Sequence, residues 1–426
     1  MTYIDPPSRL DSIVRMPGSK SITHRAIIAA SLANGKSVLN DFLKCEDTLY
    51  TIHALQQIGV TITMDESSLI VEGRGRMPGT GAITQTIYLG NSGTSFRLLL
   101  SVVALCRGDF LMTGTQRMQQ RPIGHLVAAL NRLGVDVSCV KRDGCPPVRI
   151  RASGIRGGRV SLRGDQSSQF LSSLLLSGPY ADADIDVEVT GELVSSPYVD
   201  MTIHVMDQFG IRVDREHYHR FKIPSGQKYR PREFGVQGDA SSASYFWAAA
   251  AVTGGTIVTC NIHPYTTRQG DIRFLEILER MGCTIEKGSD RVTVHGRDLS
   301  GIEVDMNDLP DMVPTLAAVA LFARGRTVIR NVAHLRHKES DRLHALALEW
   351  GRIGAHVREL PDGLIIEGEA PLTGSLVDPH NDHRLAMSLA VVALRLPHLD
   401  IQDKGCVEKS FPTFWSLWDR LQRNIE

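Results

Sequence analysis

Pro17-Gly18-Ser19-Lys20-Ser21-Ile22-Thr23-His24-Arg25 turns from a Gly-Ser corner into an otherwise apolar run, 22–33, and delivers two cations to its start. A helix N-terminus carries partial positive charge and unpaired N–H groups, so phosphate or carboxylate is stabilised there. Lys20 would add a point charge and Arg25 a planar fork of donors. Taken alone, the segment equally fits a capped helix whose cations face water. Its repetition along the chain separates the two readings.

Five further runs, 96–105, 170–176, 245–252, 315–323 and 385–394, are apolar nearly all round, which predicts buried helices. All six open alike: Gly18-Ser19-Lys20-Ser21, Asn91-Ser92-Gly93-Thr94, Asp165-Gln166-Ser167-Ser168-Gln169, Asp239-Ala240-Ser241-Ser242, Asp308-Leu309-Pro310-Asp311 and Asn381-Asp382-His383-Arg384. Each supplies a small hydroxyl or a capping side chain. Between them lie amphipathic segments that end in glycine at 54–59, 126–134, 199–210, 272–282 and 343–354, with a sixth at 411–422. Those glycines recur every 72 to 76 residues, which reads as duplication. Short β-rich runs such as Thr256-Ile257-Val258-Thr259-Cys260 and Thr327-Val328-Ile329-Arg330 fill the gaps. The pattern predicts six α/β units in two domains of three, helices inside and sheets outside, joined near Gln237-Gly238. If the buried helices of each domain point their N-termini at one cleft, that cleft attracts a polyanion.

Other features narrow the class. A chain of 426 residues is too long for one core. Lys plus Arg and Asp plus Glu are both 47, so a broad nucleic-acid-binding face is excluded and any basic surface is local. The seven cysteines are scattered with no C-x-x-C pair and read as reduced thiols. No apolar run approaches the roughly 18 residues of a membrane span, and no basic segment leads into an apolar core, so a cytoplasmic protein is expected. Phosphate-loop, dinucleotide and nucleophile-elbow motifs are absent. Asp378, His380, Asp382 and His383 resemble metal ligands only superficially, without a matching second cluster, and no metal is expected. Arg97, Arg121, Arg342, Arg384 and Lys409 sit beside turns or helix starts, where cations oppose the helix dipole. Lys338 and Arg342, four apart, would repel on one helix unless an anion bridged them.

These residues resemble the enolpyruvyl transferases, within them the members that act on shikimate 3-phosphate. The resemblance runs through Pro17-Gly18-Ser19-Lys20-Ser21, Leu89-Gly90-Asn91-Ser92-Gly93-Thr94, Arg121-Pro122-Ile123, Ser167-Ser168-Gln169-Phe170, Gly238-Asp239-Ala240-Ser241-Ser242, Lys338-Glu339-Ser340-Asp341-Arg342, Asn381-Asp382-His383-Arg384 and Lys409-Ser410-Phe411-Pro412. It implies two inside-out α/β barrel-like domains, 19–237 and 1–18 plus 238–426, each of three βαβαββ units, with the active site in the cleft between them. It implies transfer of the enolpyruvyl group of phosphoenolpyruvate to the 5-hydroxyl of shikimate 3-phosphate, with release of phosphate, on the route to chorismate and the aromatic amino acids. No cofactor is implied. Small-molecule substrates are the only expected partners, with no nucleic acid or membrane, and a monomer is expected.

By the same resemblance, Lys20, Asn91, Gly93, Arg121, Gln169, Arg342, Arg384 and Lys409 hold phosphoenolpyruvate. Lys20, Ser21, Arg25, Ser167, Ser168, Gln169, Ser195, Tyr198, Asp311, His334 and Lys338 hold shikimate 3-phosphate. Arginine suits bidentate capture of phosphate and carboxylate, and Gly93 leaves ligand space that a side chain would fill. Addition followed by elimination needs a base for the hydroxyl and an acid for the methylene carbon, assigned to Asp311 and Glu339, with Lys20 as electrostatic stabiliser. His334 stands where many relatives carry Asn, and an imidazole there would make binding pH-sensitive. Ser92 and Leu98 replace a familiar Ala and Pro; with Gly93 kept, glyphosate is expected to compete with phosphoenolpyruvate. Two alternatives stand beside this reading. One is the sister transferase that uses UDP-N-acetylglucosamine, which usually carries a loop cysteine absent from Thr115-Gln116-Arg117-Met118-Gln119-Gln120-Arg121. The other is a non-catalytic repeat scaffold that binds anions.

Overall fold

The structure is a computed structural model and describes residues 10–65, 67–75 and 79–423, so the ends of the expected 1–18 and 238–426 ranges lie outside the described residues. The chain divides into two compact units, Gly18–Val236 and the residues up to Pro17 together with those from Gln237 onward, called here the N-terminal and C-terminal units.

In the N-terminal unit, α1 (Lys20–Leu32), α3 (Gly93–Ala104) and α5 (Ser168–Ser177) are the apolar helices; α2 (Glu46–Gln57), α4 (Gly124–Arg132) and α6 (Pro197–Gln208) are the amphipathic ones. In the C-terminal unit, α7 (Ala240–Thr253), α9 (Val313–Ala320) and α11 (His383–Ala393) are apolar, and α8 (Phe274–Met281), α10 (Arg342–Arg352) and α12 (Phe414–Gln422) amphipathic. Burial follows hydropathy. From Ile22 to Leu32 every residue of α1 is buried, and α9 is buried throughout, whereas α8 buries Phe274, Leu275, Ile277, Leu278 and Met281 and exposes its charged side.

Four of the apolar helices are capped by side chains: Ser92 accepts from the Ser95 N–H, Ser167 from Gln169, Asp239 from Ser242 and Asp382 from Arg384. Ser19 makes no such bond for α1, and α9 is entered through a 3-10 turn, Pro310–Met312, that carries Asp311. Prolines at 310 and 314 suit the start of that turn and of α9, which begins at Val313 and ends at Ala320, before the expected 323. The recurrent glycines that close five amphipathic segments all take positive φ: Gly59 95°, Gly134 88°, Gly210 83°, Gly282 122° and Gly354 89°. That geometry lets the chain reverse from helix to strand, and only glycine adopts it without strain.

Five four-stranded sheets share one order. An edge strand lies parallel to a second, which pairs antiparallel with a third, which pairs antiparallel with a fourth, as in Asp11–Arg15, Thr256–Cys260, Arg291–His295 and Thr284–Lys287. The sixth, after α10, is a parallel pair, Leu376–Val377 with Asp400–Ile401. Among the described residues no sheet closes on itself, so the barrel-like layer that the resemblance implies is a set of separate small sheets. Each unit also opens its first apolar helix through the same corner. A Cβ on Gly18 would lie 1.9 Å from the Asp41 carbonyl and one on Gly238 2.1 Å from that of Asn261, and both facing residues sit at positive φ.

Candidate active site

In the N-terminal unit, Lys20 opens α1 with its Nζ 3.3 Å from Asp47 Oδ2, in the first turn of α2. One turn on, Arg25 is 1 % exposed. Its Nε donates to Thr202 Oγ1 at 2.7 Å, Nη1 to the Ser21 carbonyl at 2.9 Å and Nη2 to the Tyr198 carbonyl at 3.2 Å. All three acceptors are neutral. Burial lowers the Arg25 guanidinium to about 10, and no carboxylate offsets it; only the Tyr198 phenol pulls the other way. A buried cation without a counter-ion is costly, and it is what an anion receptor requires. Ser195, at φ 56°, precedes α6, and its carbonyl accepts from the N–H of Tyr198, in the first turn of α6, at 3.1 Å.

Ser167 and Ser168 form the start of α5, and Gln169 next to them is held at both ends from α3: Arg97 Nη1 donates to its Oε1 at 3.0 Å, and its Nε2 donates to Thr94 Oγ1 at 3.0 Å. Arg97 also lies over the Phe170 ring, 5.5 Å from its centroid. Arg121 donates through Nη1 to the Asn91 carbonyl at 3.1 Å. A Cβ on Gly93 would stand 2.5 Å from Arg121 Nη2 and 2.6 Å from its Cζ, so the space that glycine leaves is filled by the guanidinium itself. Buried threads fix the helix ends: His24 Nδ1 to Thr51 Oγ1 at 2.8 Å, Thr51 to Ser95 at 2.8 Å, and Ser95 to the Asp47 carbonyl at 2.9 Å.

In the C-terminal unit the cations are clothed. Arg342, 1 % exposed, donates from Nε to Asp382 Oδ2 at 2.8 Å, from Nη1 to Asp311 Oδ1 at 3.0 Å and from Nη2 to Glu339 Oε2 at 2.9 Å. Burial lowers its pKa, but the three carboxylates outweigh that and raise it. Arg384 Nη2 donates to Asp311 Oδ2 at 2.7 Å. Burial pushes the Asp311 carboxyl up, while Arg384, Lys338 and Arg342 together hold it well below the ordinary carboxylate range. Asp271, tied to the Ser241 hydroxyl, is the opposite case: burial, and then Asp311, push it up to about 6. Lys409 closes the 3-10 turn Lys404–Lys409 and is buried.

Two expectations change. Lys338 and Arg342 do not share a helix, because Asp341 caps α10 at Arg342 and Lys338 lies outside it; the like-charge argument therefore fails, and Arg342 is neutralised by carboxylates instead. His334 is buried with Nε2 lacking any hydrogen-bond partner, and burial, reinforced by Lys338, pushes its pKa down to about 3. It is therefore neutral around pH 7 in the folded chain. Asp378 and Asp382 are engaged within the fold, Asp378 by the His380 N–H and Asp382 by Arg342 and the Arg384 N–H, and no group of three metal-binding side chains occurs among the described residues.

Sequence reasoning passed over Asp47, Thr202, Thr94 and the support that Arg97 and Asp382 give. Asp382 was visible as a cap and Arg97 as a cation inside an apolar run; Asp47 and Thr202 carried no local signal.

Apolar helices flanked by small mixed sheets, a buried arginine met only by neutral acceptors in one unit and an arginine–carboxylate cluster in the other define a two-unit α/β protein with concentrated buried charge. The comparisons narrow that class. The family model EPSP synthase (3-phosphoshikimate 1-carboxyvinyltransferase) matches residues 4–418. Curated 3-phosphoshikimate 1-carboxyvinyltransferases from Syntrophobacter fumaroxidans and Shewanella loihica are 45 % and 43 % identical, over 98 % of this chain and 99 % and 98 % of theirs. A solved EPSP synthase from Acinetobacter baumannii superposes with a TM-score of 0.81 at 30 % identity, covering 98 % of this chain and 97 % of that one. The chain belongs to the EPSP synthase family.

Proposed function

We propose that this chain joins the enolpyruvyl group of phosphoenolpyruvate to the 5-hydroxyl of shikimate 3-phosphate and releases phosphate. The observation that carries the reading is the family match over residues 4–418. In the addition step the 5-hydroxyl oxygen bonds to C2 of phosphoenolpyruvate, the hydroxyl proton passes to Asp311, and Glu339 delivers a proton to C3. Elimination then reverses the traffic: the C2–O bond to phosphate breaks, a proton returns from C3 to Glu339 to restore the methylene, and the proton held on Asp311 leaves with phosphate. Lys20 stabilises charge at the departing phosphate.

The charge arrangement supports this division. Arg25 holds shikimate 3-phosphate with Lys20, Ser21, Ser167, Ser168, Gln169, Ser195, Tyr198, Asp311, His334 and Lys338, since a buried guanidinium with neutral acceptors gains most from an anionic ligand. Arg121, Arg342, Arg384 and Lys409, with Asn91, Gly93, Gln169 and Lys20, take phosphoenolpyruvate. Anionic substrate competes with Asp311 for Arg342 and Arg384, and each hydrogen bond so withdrawn makes the carboxylate a better base. Six copies of one α/β unit, three in each half, account for the shared sheet order and the recurrent capping glycines.

The test is phosphate release on mixing shikimate 3-phosphate with phosphoenolpyruvate. The reading requires release dependent on both substrates; release with a UDP-sugar in place of shikimate 3-phosphate supports the sister activity, and none with either leaves a binding scaffold.

A further inference from the structure

The turn that launches α11 is strained and externally held. His380 and Asn381 stand at φ 53° and 52°, immediately before the cap Asp382. Consecutive non-glycine residues in the left-handed region persist only where their surroundings over-determine them. Glu349, on α10, supplies that determination. Its carboxylate is fully buried and accepts from His380 Nε2 at 2.8 Å, from the Asp378 N–H at 3.0 Å and from Arg352 Nη1 at 3.1 Å. Within the turn, Asp378 Oδ1 accepts from the His380 N–H at 2.7 Å and the Asp382 N–H reaches the Pro379 carbonyl at 2.9 Å. A carboxylate withdrawn from water needs such donors, and here two of the three come from the turn.

The turn delivers Asp382, which has four contacts of its own. It accepts from Arg342 through Nε at 2.8 Å and Nη2 at 3.3 Å, from the Ser340 hydroxyl at 3.1 Å, and from the Arg384 N–H at 3.0 Å. A shift of the turn therefore moves both arginines that contact Asp311.

We propose that Glu349 and His380 form a clasp that positions Asp382 and, through it, Arg342 and Arg384, so that the pair sets affinity for phosphoenolpyruvate without touching it. The Asp378–His380–Asp382 cluster is thus a positioning device. The proposal rests on the reading that Arg342 and Arg384 hold phosphoenolpyruvate.

Glu349→Leu, Glu349→Gln and His380→Phe test it through KM for each substrate, kcat, thermal unfolding and deuterium uptake over 378–386. Losing charge-assisted hydrogen bonds to the turn raises the phosphoenolpyruvate KM of Glu349→Leu roughly tenfold, more than kcat changes, with the shikimate 3-phosphate KM within about twofold. Uptake over 378–386 rises. Glu349→Gln, whose amide still accepts from the Asp378 N–H and can meet the imidazole, restores most of the affinity, and His380→Phe falls between. A folded Glu349→Leu or His380→Phe protein with an unchanged phosphoenolpyruvate KM, or with both KM values raised alike, overturns the clasp. If Glu349→Leu does not fold, His380→Phe decides by the same ratio, because that imidazole is partly exposed. Arg384→Lys in parallel isolates the parent reading: an unchanged phosphoenolpyruvate KM there defeats the substrate assignment, while uptake over 378–386 still reports on the clasp.

Discussion

Arg25 and Arg342 are both 1 % exposed, yet their surroundings are opposite. Arg25 meets a threonine hydroxyl and two carbonyls; Arg342 meets Asp311, Glu339 and Asp382. A buried charge is tolerable when paired, and an unpaired one is retained where a ligand completes it. In the N-terminal unit the buried Arg25 has only neutral acceptors, as the proposed anion site requires, whereas in the C-terminal unit Arg342 is neutralised by three carboxylates. The two halves share helices, sheets and corners, so the difference in charge pairing rather than in fold separates their tasks.

The largest expected effect breaks the clothed side. Arg342→Ala leaves three carboxylates without their shared cation and should destabilise the C-terminal unit by roughly 3–5 kcal/mol, read by denaturant unfolding. A loss under 1 kcal/mol would mean that the cluster is not held by charge pairing. Asp311→Asn keeps the shape and removes the base: turnover should fall by about 10²–10⁴ while shikimate 3-phosphate still binds, as measured by initial rates and equilibrium binding.

Gly93→Ala sharpens the N-terminal side. The new Cβ stands nearest the guanidinium of Arg121, the far end of a long side chain, so stability should change little while the phosphoenolpyruvate KM rises about tenfold. A stability loss with unchanged KM would contradict that geometry. The last effect is one of pH and concerns His334. With its folded pKa near 3 and an ordinary value near 6.5, the unfolded chain binds more protons between them, so stability contributed above pH 6.5 is lost as pH falls toward 3. His334→Asn should flatten that part of the stability–pH curve; an unchanged slope would place the titration elsewhere.

The contrast between the units also explains what the sequence could and could not disclose. Apolar helices such as 22–33 and 385–394 were legible because hydropathy and capping are local, and so were the glycines at 59, 134, 210, 282 and 354. The cations themselves were legible as charges opposing helix dipoles. Their partners were not, since Lys20 and Asp47 are 27 residues apart, Arg342 and Asp382 are 40 apart, and Arg25 and Thr202 are 177 apart. Whether a cation is bare or clothed depends on those distant contacts. The Lys338–Arg342 spacing misled for a local reason: Asp341 caps α10, so Lys338 lies outside the helix that Arg342 begins. His334 looked like a switch because the sequence shows an imidazole but not its burial.

The central claim is that Arg25 is a cation kept for a ligand. Arg25→Met, assayed for shikimate 3-phosphate affinity beside its unfolding free energy, tests it most directly. The account predicts an affinity loss of at least about a hundredfold with stability unchanged or increased, because no carboxylate is orphaned by the substitution. Lost stability with shikimate 3-phosphate binding intact would contradict it.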